Sequence, residues 1–309
     1  MKIVTLTLNP AFDLHCSMQS LAVGHENRAD IIRLDAGGKG INIARALAVA
    51  SADYTALVVV GNENGKEFCE SLAKEGLCYQ AISTGGRIRE NITLHPENAP
   101  ETRISFSGFA VTGELLNRVE KEIDALCEPG SIVTLTGSNP PGLSMEEVKA
   151  FVKQLADKQI SVVIDSRSFA LADIIECAPF LIKPNEEEIS AYLGREISDF
   201  AGAKEAANEW LDQGVQNIMI SLGEKGAMLV CREGAFVADA PKIRVVSTVG
   251  AGDSSIAGFL SAKAQGKSAL DCLKTAVAFG TAACLKTGTQ APDQKDIQMF
   301  SGEIEVKRL

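Results

Sequence analysis

From Ser247 to Gly258 the chain reads Ser-Thr-Val-Gly-Ala-Gly-Asp-Ser-Ser-Ile-Ala-Gly: a strand ends, two glycines turn the backbone, and an aspartate stands where a helix begins. Free N–H groups and the positive dipole end at a helix start stabilise an anion, and Gly250 and Gly252 allow the backbone to approach it closely. Asp253 would then sit beside a developing phosphoryl charge, where a carboxylate can accept the proton of an attacking hydroxyl. An ordinary helix cap accounts for the same residues, because Asp favours N-caps and Gly favours turns. Other segments have to decide between the two.

A second glycine cluster, Asp35-Ala-Gly-Gly-Lys-Gly-Ile-Asn42, also precedes a helical pattern and adds a cation at Lys39 and an amide at Asn42. It is not a phosphate-binding P-loop: the nearest approach to that pattern, Gly61-Asn-Glu-Asn-Gly-Lys66, is one residue short and reads as a loop and helix start. Asp13 follows the first strand in Asn9-Pro-Ala-Phe-Asp13, where it could bond sugar hydroxyls or simply serve a turn. Arg87, Arg89 and Arg103 fall on strand-like pieces, with Arg87 and Arg89 on one face by period-two spacing. Guanidinium forks suit a phosphate monoester, and solvated strand charge is the plain alternative. In Lys183-Pro-Asn-Glu-Glu-Glu188 the asparagine and carboxylates could hold Mg2+ through water, or be an acidic, capped first turn. Ser221-Leu-Gly-Glu-Lys-Gly226 is a tight turn that could border a nucleotide.

Strand-like runs at 3–8, 55–60, 131–136, 160–164, 180–183 and 217–221 alternate with helical periodicity at 41–50, 65–75, 113–126, 144–158, 201–213, 251–264 and 269–285. Such alternation predicts an α/β fold with a mostly parallel sheet, helices on both faces and ligands at the carboxyl ends of the strands. Two stretches, about 12–34 and 87–106, place strand-like pieces in succession without a crossover helix. They predict a small antiparallel sheet, inserted in a single domain spanning 1–309, that serves as a lid or a dimer contact.

The 46% apolar and 23% charged content is that of a globular chain, and a mean hydropathy of +0.08 without a long apolar run argues against a membrane partner. A formal charge of −10 disfavours nucleic acid. Eight cysteines without a Cys-x-x-Cys pair read as reduced core residues, and three histidines form no zinc spacing. The N-terminus has no signal-peptide pattern, so no export is expected and the cytoplasm is the predicted compartment.

Taken in order, these segments resemble the ribokinase-like, phosphofructokinase B family of carbohydrate kinases. Gly-Gly-Lys-Gly-x-Asn is similar to that family's first signature and Thr-Val-Gly-Ala-Gly-Asp to its second. Within it, Leu8-Asn-Pro-Ala-Phe-Asp13, Gly40-Ile-Asn-Ile-Ala44, Phe106-Ser-Gly-Phe109, Thr136-Gly-Ser-Asn-Pro-Pro-Gly142 and Val246-Ser-Thr-Val-Gly-Ala-Gly-Asp253 are most similar to bacterial 1-phosphofructokinases and tagatose-6-phosphate kinases. The resemblance implies a three-layer fold with a β lid and the ATP- and Mg2+-dependent phosphorylation of a ketose phosphate. The expected substrate is fructose 1-phosphate, with tagatose 6-phosphate or fructose 6-phosphate as the alternative. By motif, Asp253 matches the base and Gly250, Ala251 and Gly252 the anion hole. Asp13, Gly38, Lys39 and Asn42 match sugar contacts, Arg89 a phosphate contact, and Ser138 a loop near the substrate. Asn185, Ser221, Gly223, Gly226 and Thr248 match the nucleotide border, and Asn185 with Glu188 the Asn-x-x-Glu magnesium element acting through water.

Two positions depart from the 1-phosphofructokinase pattern. Arg103 adds a positive charge to the substrate side that is a feature of related 6-phosphofructokinases, and Asn139 stands where leucine is usual. A dehydrogenase is a poor rival because no Gly-x-Gly-x-x-Gly follows the first strand. A non-catalytic sugar-phosphate-binding regulator is opposed by the intact Gly-Ala-Gly-Asp. An exposed lid edge predicts a homodimer through the lid.

Overall fold

In the computed structural model, residues 1–194, Glu196 and 200–309 are described. The chain runs β1 (Ile3–Thr7), β2 (Ala11–Met18), β3 (Asp30–Gly37), α1 (Lys39–Val49), β4 (Tyr54–Gly61), α2 (Gly65–Lys74), β5 (Tyr79–Thr84), β6 (Arg89–Pro96), β7 (Thr102–Ile104) and α3 (Glu114–Leu126). It continues through β8 (Ile132–Thr136), α4 (Met145–Asp157), β9 (Ser161–Asp165), α5 (Leu171–Cys177), β10 (Leu181–Ile182), α6 (Glu186–Leu193) and α7 (Phe200–Asp212). The last part holds β11 (Asn217–Ser221), β12 (Ala227–Cys231), β13 (Gly234–Ala238), α8 (Ala251–Ala264), α9 (Ala269–Ala283), α10 (Gln294–Glu303) and β14 (Val306–Arg308).

The main sheet has ten strands in the order β14-β13-β12-β11-β10-β9-β8-β1-β4-β5. From β5 to β11 every pairing is parallel, and the last three strands add antiparallel. Helices flank it, as the alternating pattern predicts. Strands covered on both faces need no polar side, which is why β1 and β8 both read Ile-Val-Thr-Leu-Thr and are buried throughout. Phe68, Phe151, Trp210 and Phe259 are fully buried in the layers beside it. Burial pushes the thiols of Cys177 and Cys272 up to about 11. The core reading of the cysteines holds for these two, Cys16 and Cys231, whereas Cys69, Cys127 and Cys284 are only partly buried and Cys78 is exposed. Because β1 lies between β4 and β8, strand order reverses there, and the carboxyl edge opens a crevice at that switch point.

The second sheet, in the order β3-β2-β6-β7, is mixed, which corrects the expected antiparallel arrangement. β2 pairs antiparallel with β3 but parallel with β6, whose partner β7 is again antiparallel. Neighbouring pieces in sequence most simply pair with each other, yet β2 also pairs with β6, to which it is joined by the whole β3–α1–β4–α2–β5 segment, a crossover long enough for parallel pairing. The first stretch is also slightly wider than the expected 12–34, with β2 starting at Ala11 and β3 reaching Gly37.

This sheet is two-faced. Leu34, Leu14, Ile92 and Ile104 are cross-strand partners in one apolar row, while Arg33, His15, Thr93 and Arg103 form the adjacent polar row. Cross-strand partners share a face, and successive residues alternate. The polar row looks onto a cavity beside the crevice, and Leu34 and Ile104 stay exposed on the other side. Arg87 lies outside the strands, exposed and paired with Glu90, so the predicted pairing of Arg87 and Arg89 on one strand face does not form.

Candidate active site

At the switch point, the segments after β1 and β8, the ends of β9 and β10 and the starts of α1 and α8 meet beneath β2, β6 and β7. They enclose a cavity of ≈ 330 Å³. Asp13, Gly38, Lys39, Asn42, Arg89, Arg103, Ser138, Gly250, Gly252 and Asp253 all line it, so residues spread over most of the chain come together in one place.

Gly250 caps α8 at φ 80°, a left-handed conformation that glycine adopts without Cβ strain, and no side chain caps the helix. The N–H of Ala251 donates to Thr248 at 3.3 Å. Those of Gly252 and Asp253 lie in the first turn, where no intrahelical carbonyl reaches them. Asp253 is buried, and its Oδ2 accepts from the Asn42 amide at 2.8 Å. Among the described residues its Oδ1 has no partner. The plain helix-cap explanation of Asp253 therefore fails: glycine holds the cap, and the carboxylate turns to the cavity. Burial raises the Asp253 carboxyl to about 6 against the opposing charge of Lys39.

Asn42 is itself held. Arg45, one turn further along α1, donates to Asn42 Oδ1 at 3.1 Å, to the Ala36 carbonyl at 2.6 Å and to both oxygens of Glu75 at 2.6 and 2.8 Å. A buried guanidinium with its donors satisfied is rigid, and it fixes which amide atom faces Asp253.

Lys39 reaches Asp165 Oδ2 at 2.8 Å, and Lys183 stands 4.0 Å from Asp165 Oδ1. Burial raises the Asp165 carboxyl, but Lys183 and Lys39 outweigh it and hold the group below the usual carboxylate range. Burial likewise opposes the Lys39 charge, and Asp165 with Asp253 overcomes it, so that ammonium is held above its ordinary value. Asp165 and Lys183 were not singled out in the sequence. The only signal for them was their position at the carboxyl ends of predicted parallel strands.

On the lid side, Asp13 Oδ1 accepts from Asn91 at 3.1 Å and Arg103 at 2.9 Å. A Cβ on Gly37 would lie 2.2 Å from the other oxygen, so the first glycine of the cluster makes room for Asp13 rather than for a ligand. Arg89 donates to the carbonyls of Asn9, Pro10 and Phe106 and to the Ser138 hydroxyl, tying β6 to the loops after β1 and β8. Arg103 and Asp13 also border a neighbouring cavity of ≈ 460 Å³ that holds the stacked His15 and His95 rings.

The residues expected around a nucleotide lie apart from this cavity. Ser221 ends β11 and bridges to Asn185, Gly223 and Gly226 flank the short turn that follows, and Thr248 is exposed before α8. Asn185 and Glu188 form a reciprocal capping box on α6, the acidic, capped first turn that was the alternative to a magnesium role. Glu188 also receives Arg167 at 3.4 Å and borders a small recess with Asp165 and Lys183. Among the described residues no group of three or more His, Cys, Asp or Glu side chains could hold a metal ion directly. Likewise no described helix is long and apolar enough to cross a membrane.

A carboxylate at a helix start, two lysines and a polar lid over an α/β switch point define a phosphotransferase-like site. The pfkB family carbohydrate kinase model matches residues 7–296, and the chain belongs to that family. It is 32% identical over 308 residues to a 1-phosphofructokinase of Vibrio cholerae serotype O1, covering 100% of this chain and 97% of that protein. It is 29% identical to the ATP-dependent 6-phosphofructokinase isozyme 2 of Escherichia coli, covering 96% and 97%. The crystal structure of phosphofructokinase-2 from Escherichia coli in complex with substrates and products superposes with a TM-score of 0.91 at 28% identity, covering 98% and 99%.

Proposed function

We propose that this carbohydrate kinase transfers the γ-phosphoryl group of ATP to fructose 1-phosphate, giving fructose 1,6-bisphosphate. The observation that carries the reading is Asp253: buried, oriented by Asn42, with one oxygen open to the cavity at the start of α8. Likeness to enzymes named 1-phosphofructokinase supports the acceptor. A free hydroxyl of the sugar attacks the γ-phosphorus, the bond to the β–γ bridging oxygen breaks, and ADP leaves with that electron pair. The hydroxyl proton passes to Asp253. N–H groups of the first turn of α8 meet the phosphoryl oxygens, and Lys39 with Asp13 orients the sugar phosphate.

Mg2+ bound with ATP would offset phosphate charge, with Glu188 and Asn185 meeting it through water. Ser221, Gly223, Gly226 and Thr248 would border the nucleotide. One feature favours a second reading: Arg103 on Asp13 adds a cation beside the sugar site, which would suit fructose 6-phosphate or tagatose 6-phosphate. The apolar row of the lid suits a homodimer, and eight free cysteines suit the reducing cytoplasm. ADP release with Mg-ATP against fructose 1-phosphate, fructose 6-phosphate, tagatose 6-phosphate and free fructose tests the reading. Preference for fructose 1-phosphate is expected; preference for a 6-phosphate would transfer the assignment to the second reading.

A further inference from the structure

We infer that His15 and His95 form an acid-sensitive latch between the lid and the body of the protein: one further proton on the pair releases the lid and weakens binding of the sugar phosphate. What the lid covers rests on the kinase reading above.

The two rings come from neighbouring strands, β2 and β6, and stack with their centroids 5.3 Å apart. His15 Nδ1 and His95 Nε2 are 3.0 Å apart, so one of them carries a proton and the other accepts it. The ends of the chain decide which. Arg33 Nη2, which can only donate, stands 3.3 Å from His15 Nε2. His15 therefore carries its proton on Nδ1 and donates it to His95. That leaves the proton of His95 on Nδ1, 3.3 Å from Glu101 Oε2. Asp35 lies 3.9 Å from His15 Nε2 and 2.6 Å from Arg33 Nε, and Arg103 with Asp13, paired at 2.9 Å, completes the charged groups around the rings. The segments 246–249 and 287–289, which close this cavity from the body side, carry no charged residue.

The chain of donors also reaches the body. Arg33 Nη1 donates to Thr287 Oγ1 at 3.4 Å, in the loop after α9, and a Cβ on Gly288 would lie 2.3 Å from Arg33 Nη2. That glycine makes room for the guanidinium that docks β3. The β2–β3 pairing shifts register between His15 and Cys16, so the backbone ladder is interrupted beside the latch and side chains hold the strands there. A further proton finds no place that keeps every link. On His15 Nε2 it meets the Arg33 donor, and on His95 Nε2 it meets the His15 N–H. Burial and the Arg33 charge hold the His15 imidazole below its ordinary 6.5, against the pull of Asp35. The closed lid thus favours the neutral ring, and by linkage acid favours the released one. Asp13 lies two residues from His15 on the same face of β2, so release reaches the sugar contact directly.

The test compares the full-length wild type with the double variant His15→Gln and His95→Gln, measuring KM for fructose 1-phosphate with Mg-ATP at pH 7.5 and pH 5.5. Glutamine can accept from the donor behind it and donate to the acceptor ahead, but it takes up no proton in this range. Protonation of the substrate is common to both proteins. From the higher to the lower pH, KM of the wild type should rise ~3- to 10-fold more than that of the variant, while kcat falls alike in both. An equal change of KM in the two proteins overturns the inference. Histidine NMR of the ligand-free wild type gives a reading that needs neither turnover nor the variant. His15 should protonate at lower pH than the exposed His25, with the signals of His95 shifting in the same step. Two independent titrations that each follow the course of His25 also overturn it. A wild type that transfers phosphate to no sugar rejects the kinase reading, and the NMR titration then decides the latch by itself.

Discussion

The role proposed for Asp253 is one that its surroundings make costly. Water would hold it ionised, whereas burial raises its pKa to about 6, and a base must be deprotonated to act. The pH profile of kcat should therefore rise through about 6 and flatten above it, and a profile flat down to pH 5 would remove Asp253 from the role. The folded protein holds this proton more tightly than the unfolded chain, so the group's effect on stability is lost progressively as pH climbs from its ordinary 3.8 through about 6. The gap corresponds to at most ~3 kcal/mol. Asp253→Asn should cut kcat ~10² to 10⁴-fold while melting higher than wild type at pH 7.5, with the difference shrinking toward pH 4. Asp253 was legible in the sequence because glycine spacing and a helical pattern mark a helix start. Asp165 and Lys183 were not, because a lone charged residue closing a strand has no local pattern. Only the fold brings them within 4.0 Å of each other.

At the level of elements, α1 holds Asp253, the proposed base, through Arg45 and Asn42. Replacing Arg45 by Met leaves Glu75 without its partner, itself about one-third exposed, and frees the Asn42 amide. The expected outcome is a loss of about 2 kcal/mol in denaturant unfolding together with a fall in kcat. A stability loss with kcat intact would separate Arg45 from the site. The βαβ alternation was readable because a buried parallel strand and an amphipathic helix leave different periodicities. The strands β5 and β12 to β14 were harder, and the lid was misread in one respect. Parallel pairing of β2 with β6 depends on contacts between residues such as Asp13 and Asn91, far apart in sequence and silent in any local window. Asn185 and Glu188 show the opposite case: their spacing fits both a capping box and a magnesium element, and in the fold they form the capping box.

For the whole molecule, the lid has a polar face toward the crevice and an apolar row, Leu34-Leu14-Ile92-Ile104, facing away. A second copy would cover that row, and a two-fold contact would bring the same residues together from both sides. Leu34→Glu combined with Ile104→Glu should convert a dimer into a monomer in sedimentation at micromolar concentration. A wild type already monomeric there would reject the lid contact. The crevice itself is assembled from both sheets, and Asp253, the lysines and the lid arginines belong to separate stretches of chain that only the complete fold unites.

The most direct test is product formation by wild type and Asp253→Asn side by side, with Mg-ATP and fructose 1-phosphate, following ADP and the new phosphate ester together. Stoichiometric ADP and fructose 1,6-bisphosphate from wild type, reduced at least a hundredfold in Asp253→Asn, is the expected result. Equal rates in the two proteins, or ADP without a new phosphate ester, would contradict it.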